Sequence, residues 1–277
     1  MPKKIKEEAP KGKPSLGLLI SQINKKMGET VIGRIGDMVN IQAERVSTGI
    51  PQLDEALGGG FPRGRMVELF GLPSSGKSLI AQLAIATAQK GGGECVYLDA
   101  EGSFDPTFAE KLGVDTKKLV LVQSGIGEDM IDIMAKVLSA EPAVIVVDSV
   151  GSMITRGEME ESVEKVFMAP KARLMSKGLP KLTALNKNTL IIFINQLRNV
   201  ITTWGGGGNT TTGGMSLGFY SSIRLEIKKD KELLFEDGKK TGNVIGQIGH
   251  FRVVKNKTAQ PFKTGSFKFF YDPLKIE

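Results

Sequence analysis

The sequence predicts an α/β fold, with a mainly parallel sheet flanked by helices, an antiparallel extension of that sheet, and a small helical arm at the N-terminus. Two observations predict it. From about residue 45, short β-branched runs alternate with helical stretches, which is typical of a parallel sheet covered by helices. After Ser221, strand-like runs follow one another without long helices, which favours antiparallel pairing. A chain of 277 residues suits one large core with a small appendage.

The individual strands are predicted from runs of apolar, mostly β-branched residues. The parallel part is expected at 67–70, 96–98, 119–122, 144–147 and 190–194, and the antiparallel part at 223–228, 249–254 and 266–271. No repeat with a period of 20 to 50 residues is present, which argues against a solenoid.

The N-terminal arm is predicted from a polar stretch followed by a helical pattern. Residues 1–14 are mostly Lys, Glu, Pro and Gly, a composition typical of a disordered tail. Ser15 can cap a helix with apolar residues at helical spacing, and Gly28 can end it. We divide the chain into residues 1–40 and a core of residues 41–277. The helix packs either on its own core or on another copy of the chain.

Composition limits the classes of function. The net charge of +7 and a pI near 9.3 suit a polyanionic partner, although solubility explains them as well. Cys95 is the one cysteine, so no disulfide forms within the chain, and its apolar surroundings favour a buried thiol over a reactive one. Neither a signal peptide nor a membrane span is present in the sequence, and we expect a cytoplasmic protein with no membrane partner.

A phosphate-binding loop is the strongest local prediction. The run is Gly71, Leu72, Pro73, Ser74, Ser75, Gly76, Lys77 and Ser78. A predicted strand precedes it and a helical stretch beginning at Leu79 follows, so backbone N–H groups and the helix N-terminus can bind phosphate oxygens. Lys77 is expected on the β- and γ-phosphates, and the Ser78 hydroxyl on Mg²⁺. These residues predict binding of a nucleotide.

Three polar side chains follow buried strands and are expected at one edge of the sheet. Asp148 is our candidate for a second Mg²⁺ contact and Glu101 for the base that activates the attacking water, although a cap or surface role fits either acid alone. Gln196 is placed to sense the γ-phosphate and to transmit the nucleotide state to the segment after it.

That next segment, residues 197–214, combines a cation, an aromatic ring, hydroxyl groups and many glycines. Such a mixture can hold phosphates and stack on bases of single-stranded DNA. The candidate contacts are Arg198, Asn199, Trp204, Thr212, Gly213 and Gly214. A simple linker remains the alternative.

Two further groups of basic residues give weaker signals. The stretch from 158 to Arg173 is partly basic and is a second candidate for DNA contact. Residues 171–185 also fit a helix whose basic face is solvated, with a break near Gly178 and Pro180. Lys255 and Lys257 share one face if their strand continues, which fits either contact with another subunit's ATP or a solvated face.

Taken together, these motifs are similar to those of the bacterial RecA homologous recombinases over about residues 15–271. The resemblance rests on 47–49, the phosphate loop, 98–101, 147–149, 193–196, 210–214, 219–220 and 254–257. It implies a RecA-like P-loop ATPase core that forms a helical filament on single-stranded DNA, pairs it with homologous duplex DNA and exchanges strands. It also implies DNA-stimulated hydrolysis of ATP with Mg²⁺.

The resemblance implies roles for residues that spacing alone leaves open. Glu101, Lys77 and Gln196 would be catalytic, and the N-terminal helix would dock on the adjacent protomer as an oligomerisation helix. The implied contacts are Asp105, Phe108 and Tyr271 around adenine, Phe219, Lys255 and Lys257 on the neighbouring subunit's ATP, and Met168 with Arg173 in a first DNA-binding region.

Three departures from the family pattern limit what the resemblance implies. The sequence ends at Glu277 without the C-terminal domain and acidic tail of bacterial RecA, which puts duplex capture in doubt. Gly218 stands where that family usually has a lysine, and Pro180 replaces a basic residue. A recombination mediator and a ring-shaped ATPase are the competing functions.

Overall fold

The structure is a computed structural model that describes residues 13–28, 30–34, 44–160, 170–200, 208–236, 242–271 and 274–277. Contacts divide the chain into two compact units, Met1–Ala43 and Glu44–Glu277. In the first unit, helix α1 spans Leu16–Met27 and confirms the predicted capped helix. Ser15 Oγ accepts a hydrogen bond from the Leu18 amide at 3.3 Å, and Gly28 ends the helix at φ 76°.

The second unit contains the predicted mainly parallel sheet. Its strands are β1 (Arg45–Val46), β2 (Phe61–Pro62), β3 (Met66–Gly71), β4 (Cys95–Asp99), β5 (Val120–Gln123), β6 (Val144–Asp148), β7 (Leu190–Val200), β8 (Gly208–Thr211), β9 (Ile223–Phe235), β10 (Val244–Asn256), β11 (Thr264–Tyr271) and β12 (Leu274–Ile276). β1 and β2 form a separate pair, whereas the ten-stranded sheet has the order β12-β11-β10-β9-β3-β7-β6-β4-β5, with β8 paired to β7.

Helices cover both faces of the parallel part. They are α2 (Pro51–Leu57), α3 (Lys77–Lys90), α4 (Pro106–Lys111), α5 (Gly127–Val137), α6 (Arg156–Glu160), α7 (Pro170–Leu185) and α8 (Ser216–Tyr220). One apolar cluster joins α2, α3 and α4 to one sheet face, and a second joins α5, α7 and α8 to the other. Strands buried on both sides are mostly apolar, which is why β4 and β6 are apolar up to a final Asp and β3 is apolar except for Glu68.

The antiparallel extension is confirmed, but its strands are longer than predicted. β9 runs parallel to β3, and β10, β11 and β12 continue antiparallel from it. β10 alternates buried and accessible residues and carries three register shifts against β9. Irregular, half-exposed strands contain few consecutive apolar residues. The apolar runs in the sequence therefore predict only the more buried part of each strand.

Two predictions about connections are wrong. The loop after Gln196 starts later than predicted, because β7 continues to Val200 and its end pairs with β8 from Leu197↔Thr211 to Val200↔Gly208. The break near Pro180 is absent, since α7 runs from Pro170 to Leu185. A proline inside a helix costs about 3 kcal/mol, and the burial of Met175, Leu179 and Leu182 on the core offsets that cost.

Within these described ranges, no helix combines the length and the apolar character needed to cross a membrane.

Candidate functional site

The phosphate loop connects the end of β3 to the first turn of α3, as its motif requires. Ser74 at φ 56° and Gly76 at φ 94° adopt left-handed backbone conformations, and Ser75 is buried. At Gly71, an added Cβ would lie 2.1 Å from the Ile227 carbonyl oxygen, so a side chain does not fit there. The loop therefore presents its backbone at a helix N-terminus, which is an arrangement suited to phosphate.

Lys77 folds back over this loop. Its Nζ donates to the Leu72 carbonyl at 2.7 Å and to the Gly71 carbonyl at 3.3 Å, and the residue is only 6% exposed. Burial lowers the pKa of Lys77, while the charges of Asp148 and Glu101 raise it. A cation held by neutral carbonyls next to two carboxylates is well placed to transfer its hydrogen bonds to phosphate oxygens.

The buried carboxylate of Asp148 lies at the end of β6. Its Oδ2 accepts hydrogen bonds from Ser78 Oγ at 2.7 Å and Tyr97 Oη at 2.6 Å. Burial raises the pKa of Asp148, and the two hydroxyl donors lower it. The hydroxyl of Ser78 and this carboxylate form a set of hard oxygen donors that fits Mg²⁺. Tyr97 was not predicted, because its position in the middle of an apolar run suggests only core packing.

Glu101 lies at the neighbouring strand end and receives three hydrogen bonds on one oxygen. Its Oε1 accepts from Ser149 Oγ at 2.6 Å, Ser152 Oγ at 2.9 Å and Gln196 Nε2 at 3.1 Å. The backbone there is fixed by Asp99, whose carboxylate accepts from the Glu101 amide at 3.2 Å. The structure thus brings Glu101 and Gln196 into direct contact. Ser149 follows β6 directly, so the strand-end rule that selected Asp148 applies to it too.

A cavity of about 250 Å³ adjoins the phosphate loop. Its lining consists of residues 74–79 with Phe108, Gln247 and Phe269. Asp105 caps α4 by accepting from the Thr107 amide at 2.8 Å. Tyr271 lies outside this lining, 41% exposed, with its ring edge-on to Phe269 at 5.5 Å. Gln247 and Phe269 come from β10 and β11, and their approach to the loop depends on strand register that the sequence does not reveal.

Lys255, Lys257 and Phe219 lie together on another face of this unit, which we call the lysine face. Lys255 Nζ donates to the Gly218 carbonyl at 2.6 Å, and Lys257 Nζ to the Phe219 carbonyl at 3.5 Å. Phe219 is 67% exposed. Burial lowers the pKa of Lys255, and the charges of Lys257 and Arg224 lower it further. Lys255 and Phe219 line an open cavity of about 710 Å³.

The candidate DNA contacts lie in several places. Arg198 and Asn199 belong to β7, Gly213 and Gly214 turn at φ 88° and 75° against α7, and Arg173 is exposed on α7. Gly213 is buried against Val150 and Met175, so its backbone is not freely accessible.

Three predicted features lie outside the described residues. They are Met168, Trp204 and the tail up to residue 12.

Cys95 is buried in β4, as its apolar surroundings predict. Burial raises the pKa of its thiol to about 12. A thiol that stays protonated at neutral pH is a poor nucleophile, so Cys95 acts as a small core residue.

Comparison with known proteins decides the family. A family model described as the RecA N-terminal domain matches residues 15–273. The chain belongs to the RecA family. It is 43% identical over 272 residues to Protein RecA of Chloroherpeton thalassium, covering 97% of this chain and 74% of that protein. It is 41% identical to Protein RecA of Lactobacillus delbrueckii subsp. bulgaricus, covering 94% and 78%.

A solved structure supports the RecA-like fold. The crystal structure of the RadB recombinase aligns with a TM-score of 0.60 at 21% identity and covers 83% of this chain and 98% of that one. Family membership gives the chain a recombinase role in DNA recombination and repair, within a family of ATP-using proteins. The relatives are longer than the segment that matches this chain.

Proposed function

We propose that this RecA-family chain polymerises on single-stranded DNA and hydrolyses ATP in response to that DNA, while promoting homologous pairing and strand exchange. The observation that carries the proposal is the hydrogen bond of 3.1 Å from Gln196 Nε2 to Glu101 Oε1. Gln196 lies on β7, the strand that leads directly into the glycine-rich segment. A change at the γ-phosphate therefore has a short covalent route to the candidate DNA-binding residues.

In this proposal, the phosphate loop holds ATP and Mg²⁺. The backbone of Gly71 to Leu79 binds the phosphates, with Lys77 on the β- and γ-phosphate oxygens. Ser78 and Asp148, whose oxygens lie 2.7 Å apart, bind Mg²⁺. Asp105, Phe108 and Tyr271 surround the adenine.

Glu101 acts as the general base. Ser149, Ser152 and Gln196 all donate to its Oε1, which fixes the carboxylate in one orientation. This leaves Oε2 to accept a proton from the water that attacks the γ-phosphate. When the phosphate departs, Gln196 is free to change its hydrogen-bond partner, and that change moves the end of β7.

The filament completes each site with groups from a neighbouring copy. Lys255 and Lys257 donate to backbone carbonyls at the surface and approach the phosphates of the adjacent protomer, with Phe219 at the same contact. Helix α1 docks on the adjacent protomer. Single-stranded DNA contacts the residues named from Arg198 to Gly214, together with Met168 and Arg173, and homologous duplex DNA is the second partner.

One titration tests this function. ATP turnover of the purified chain is measured against increasing single-stranded DNA, with duplex DNA as the comparison, and the same samples are imaged by electron microscopy. We expect DNA-stimulated turnover, helical filaments and joint molecules between homologous DNAs. Nucleotide binding without stimulation or joint molecules would instead indicate a mediator, and closed rings would indicate a helicase-type assembly.

A further inference from the structure

Glu68 is a fully buried carboxylate that the proposed chemistry does not use. It lies on the central strand β3, three residues before the phosphate loop, and is 0% exposed. Burying an unpaired carboxylate in the centre of a sheet is very unfavourable. The hydrogen-bond partners of Glu68 therefore indicate its role.

Each oxygen of Glu68 binds a different strand. Oε2 accepts from Arg224 Nε on β9 at 2.5 Å, and Oε1 accepts from Asn195 Nδ2 on β7 at 3.0 Å. Asn195 Nδ2 also donates to the Thr212 carbonyl at 2.9 Å, while its Oδ1 accepts from the Gln196 amide at 3.0 Å. One carboxylate and one amide therefore connect the sheet to the exit of the candidate DNA-binding segment.

Thr212 also lies next to the nucleotide sensor. A Cβ added at Gly151 would lie 3.8 Å from Gln196 Cδ and 3.8 Å from Thr212 Oγ1, so both side chains border the same small space. The Thr212 hydroxyl is buried without a hydrogen-bond partner among the residues that the structure describes. Its carbonyl bond to Asn195, together with the pairing of Thr211 with Leu197, holds this residue beside Gln196.

On the other side, Glu68 reaches the lysine face through Arg224. The guanidinium of Arg224 lies 4.8 Å above the Phe70 ring and lines the same cavity as Phe219 and Lys255. The negative charge of Glu68 also counteracts the effects of burial and of Lys257 and Arg224 on the pKa of Lys255. The same carboxylate therefore influences the segment exit and the candidate contact with the next protomer.

We propose that Glu68 and Asn195 are positioning residues that couple the Thr212 end of the DNA-binding segment to Arg224 on the lysine face. This coupling rests on the proposed function and adds a second connection beside the one through Gln196. When DNA binding shifts Thr212, the shift reaches Arg224 through two hydrogen bonds and one ion pair, without passing through the nucleotide. Occupancy of the DNA-binding segment and of the subunit contact are thereby linked.

The polarity of the hydrogen bonds provides the test. In Glu68→Gln, the amide has one acceptor oxygen for two donors, so the bond to Asn195 or to Arg224 is lost. Adding Asn195→Asp restores both bonds. The amide introduced at position 68 donates to the new carboxylate, which reverses the polarity of that bond, and its oxygen still accepts from Arg224. The double variant still lacks a donor for the Thr212 carbonyl.

Hydrogen exchange of residues 211–217 and thermal unfolding are measured on the full chain without DNA. We expect the double variant to increase exchange at this segment about tenfold, the effect of losing the hydrogen bond from position 195 to the Thr212 carbonyl. Glu68→Gln alone should increase it less, because Asn195 keeps a donor for that carbonyl. The double variant should regain most of the melting temperature that Glu68→Gln loses. Wild-type exchange at this segment in the double variant would overturn the proposal, because a purely structural ion pair requires no donor to Thr212.

ATP turnover then tests the coupling. We expect the double variant to keep DNA-independent turnover within about twofold and to lose about tenfold in DNA stimulation, with Glu94→Gln on the surface as the matched control. Full stimulation in the double variant would contradict the coupling. If the proposed function itself is wrong, the wild-type protein will also lack DNA stimulation of ATP turnover. The hydrogen-exchange result still decides in that case whether Asn195 holds Thr212.

Discussion

The nucleotide edge and the lysine face differ in how far their charged groups are buried. At the nucleotide edge, side chains satisfy one another: Ser78 and Tyr97 donate to Asp148, and Gln196 donates to Glu101. On the lysine face, the ammonium groups of Lys255 and Lys257 donate to backbone carbonyls, as that of Lys77 does, but Lys255 lines an open cavity and Lys257 is exposed. The first region is assembled within one chain, whereas the second presents cations that another molecule can use.

Burial explains this difference. Lys77 and Asp148 lie where parallel strands end under helices, so desolvation requires each polar group to have a partner. Lys255 is only partly buried at the end of an antiparallel strand and Lys257 is exposed, so water reaches both ammonium groups more readily than that of Lys77. Accessible cations such as these can bind a phosphate that belongs to a neighbouring molecule, whereas the buried Lys77 serves its own chain's phosphate loop.

The largest effect is expected at Lys77. Replacement by alanine removes a buried cation from the phosphate loop, and we expect nucleotide affinity or turnover to fall about 100-fold. Binding of a fluorescent ATP analogue and ATP turnover measure this. Lys90→Ala, at the exposed end of the same helix, is the control, and equal losses in both variants would contradict a specific role.

Glu101→Gln separates binding from chemistry. The amide cannot accept the proton from water, so turnover should fall about 100-fold while ATP affinity stays close to wild type. Single-turnover hydrolysis and analogue binding check the two parts. Normal turnover in this variant would show that another group is the base.

Replacing Lys255 and Lys257 by alanine tests the other region. We expect DNA-stimulated turnover to fall at least about tenfold, because the cations stabilise phosphate charge only in the assembled state. Nucleotide binding by dilute protein should remain. Lys268→Ala on β11 serves as the control, and loss of binding in dilute protein would place the two lysines in their own chain's site.

The sequence predicts these two regions unequally. The phosphate loop, Asp148 and Glu101 follow from motif spacing and from the rule that parallel strands end at one edge. Gln247, Phe269 and the Glu68 network depend on which strands become neighbours. Strand order and register are long-range properties, so neither periodicity nor spacing reveals them. The pairing of β7 with β8 is hard to predict for a second reason, because the glycine and asparagine of β8 are weak strand signals.

A smaller effect is expected for Arg198→Gln. If Arg198 contacts a DNA phosphate, the slope of log affinity against log salt should decrease by about one unit. Fluorescence anisotropy with single-stranded DNA at several salt concentrations measures the slope. Lys187→Gln, a change of the same charge on an exposed surface, should leave it unchanged, and an unaltered slope for Arg198→Gln would remove this contact.

The smallest effect is expected for Tyr97→Phe. Losing one hydroxyl donor to the buried Asp148 carboxylate should destabilise the fold by about 1 kcal/mol and raise the pKa of Asp148 further. Thermal unfolding at neutral pH checks the stability. The deficit should shrink as the pH falls, because a protonated Asp148 no longer needs the donor, and a pH-independent deficit would indicate loss of packing only.

Mixing two inactive variants tests the central claim most directly. The Lys77→Ala variant retains Lys255 and Lys257. The variant in which those two lysines are replaced by alanine retains its phosphate loop. If ATP sites are shared between successive protomers on single-stranded DNA, the mixture contains junctions with every required group and hydrolyses ATP. A mixture as inactive as either variant alone, although both bind the DNA together, would contradict the account.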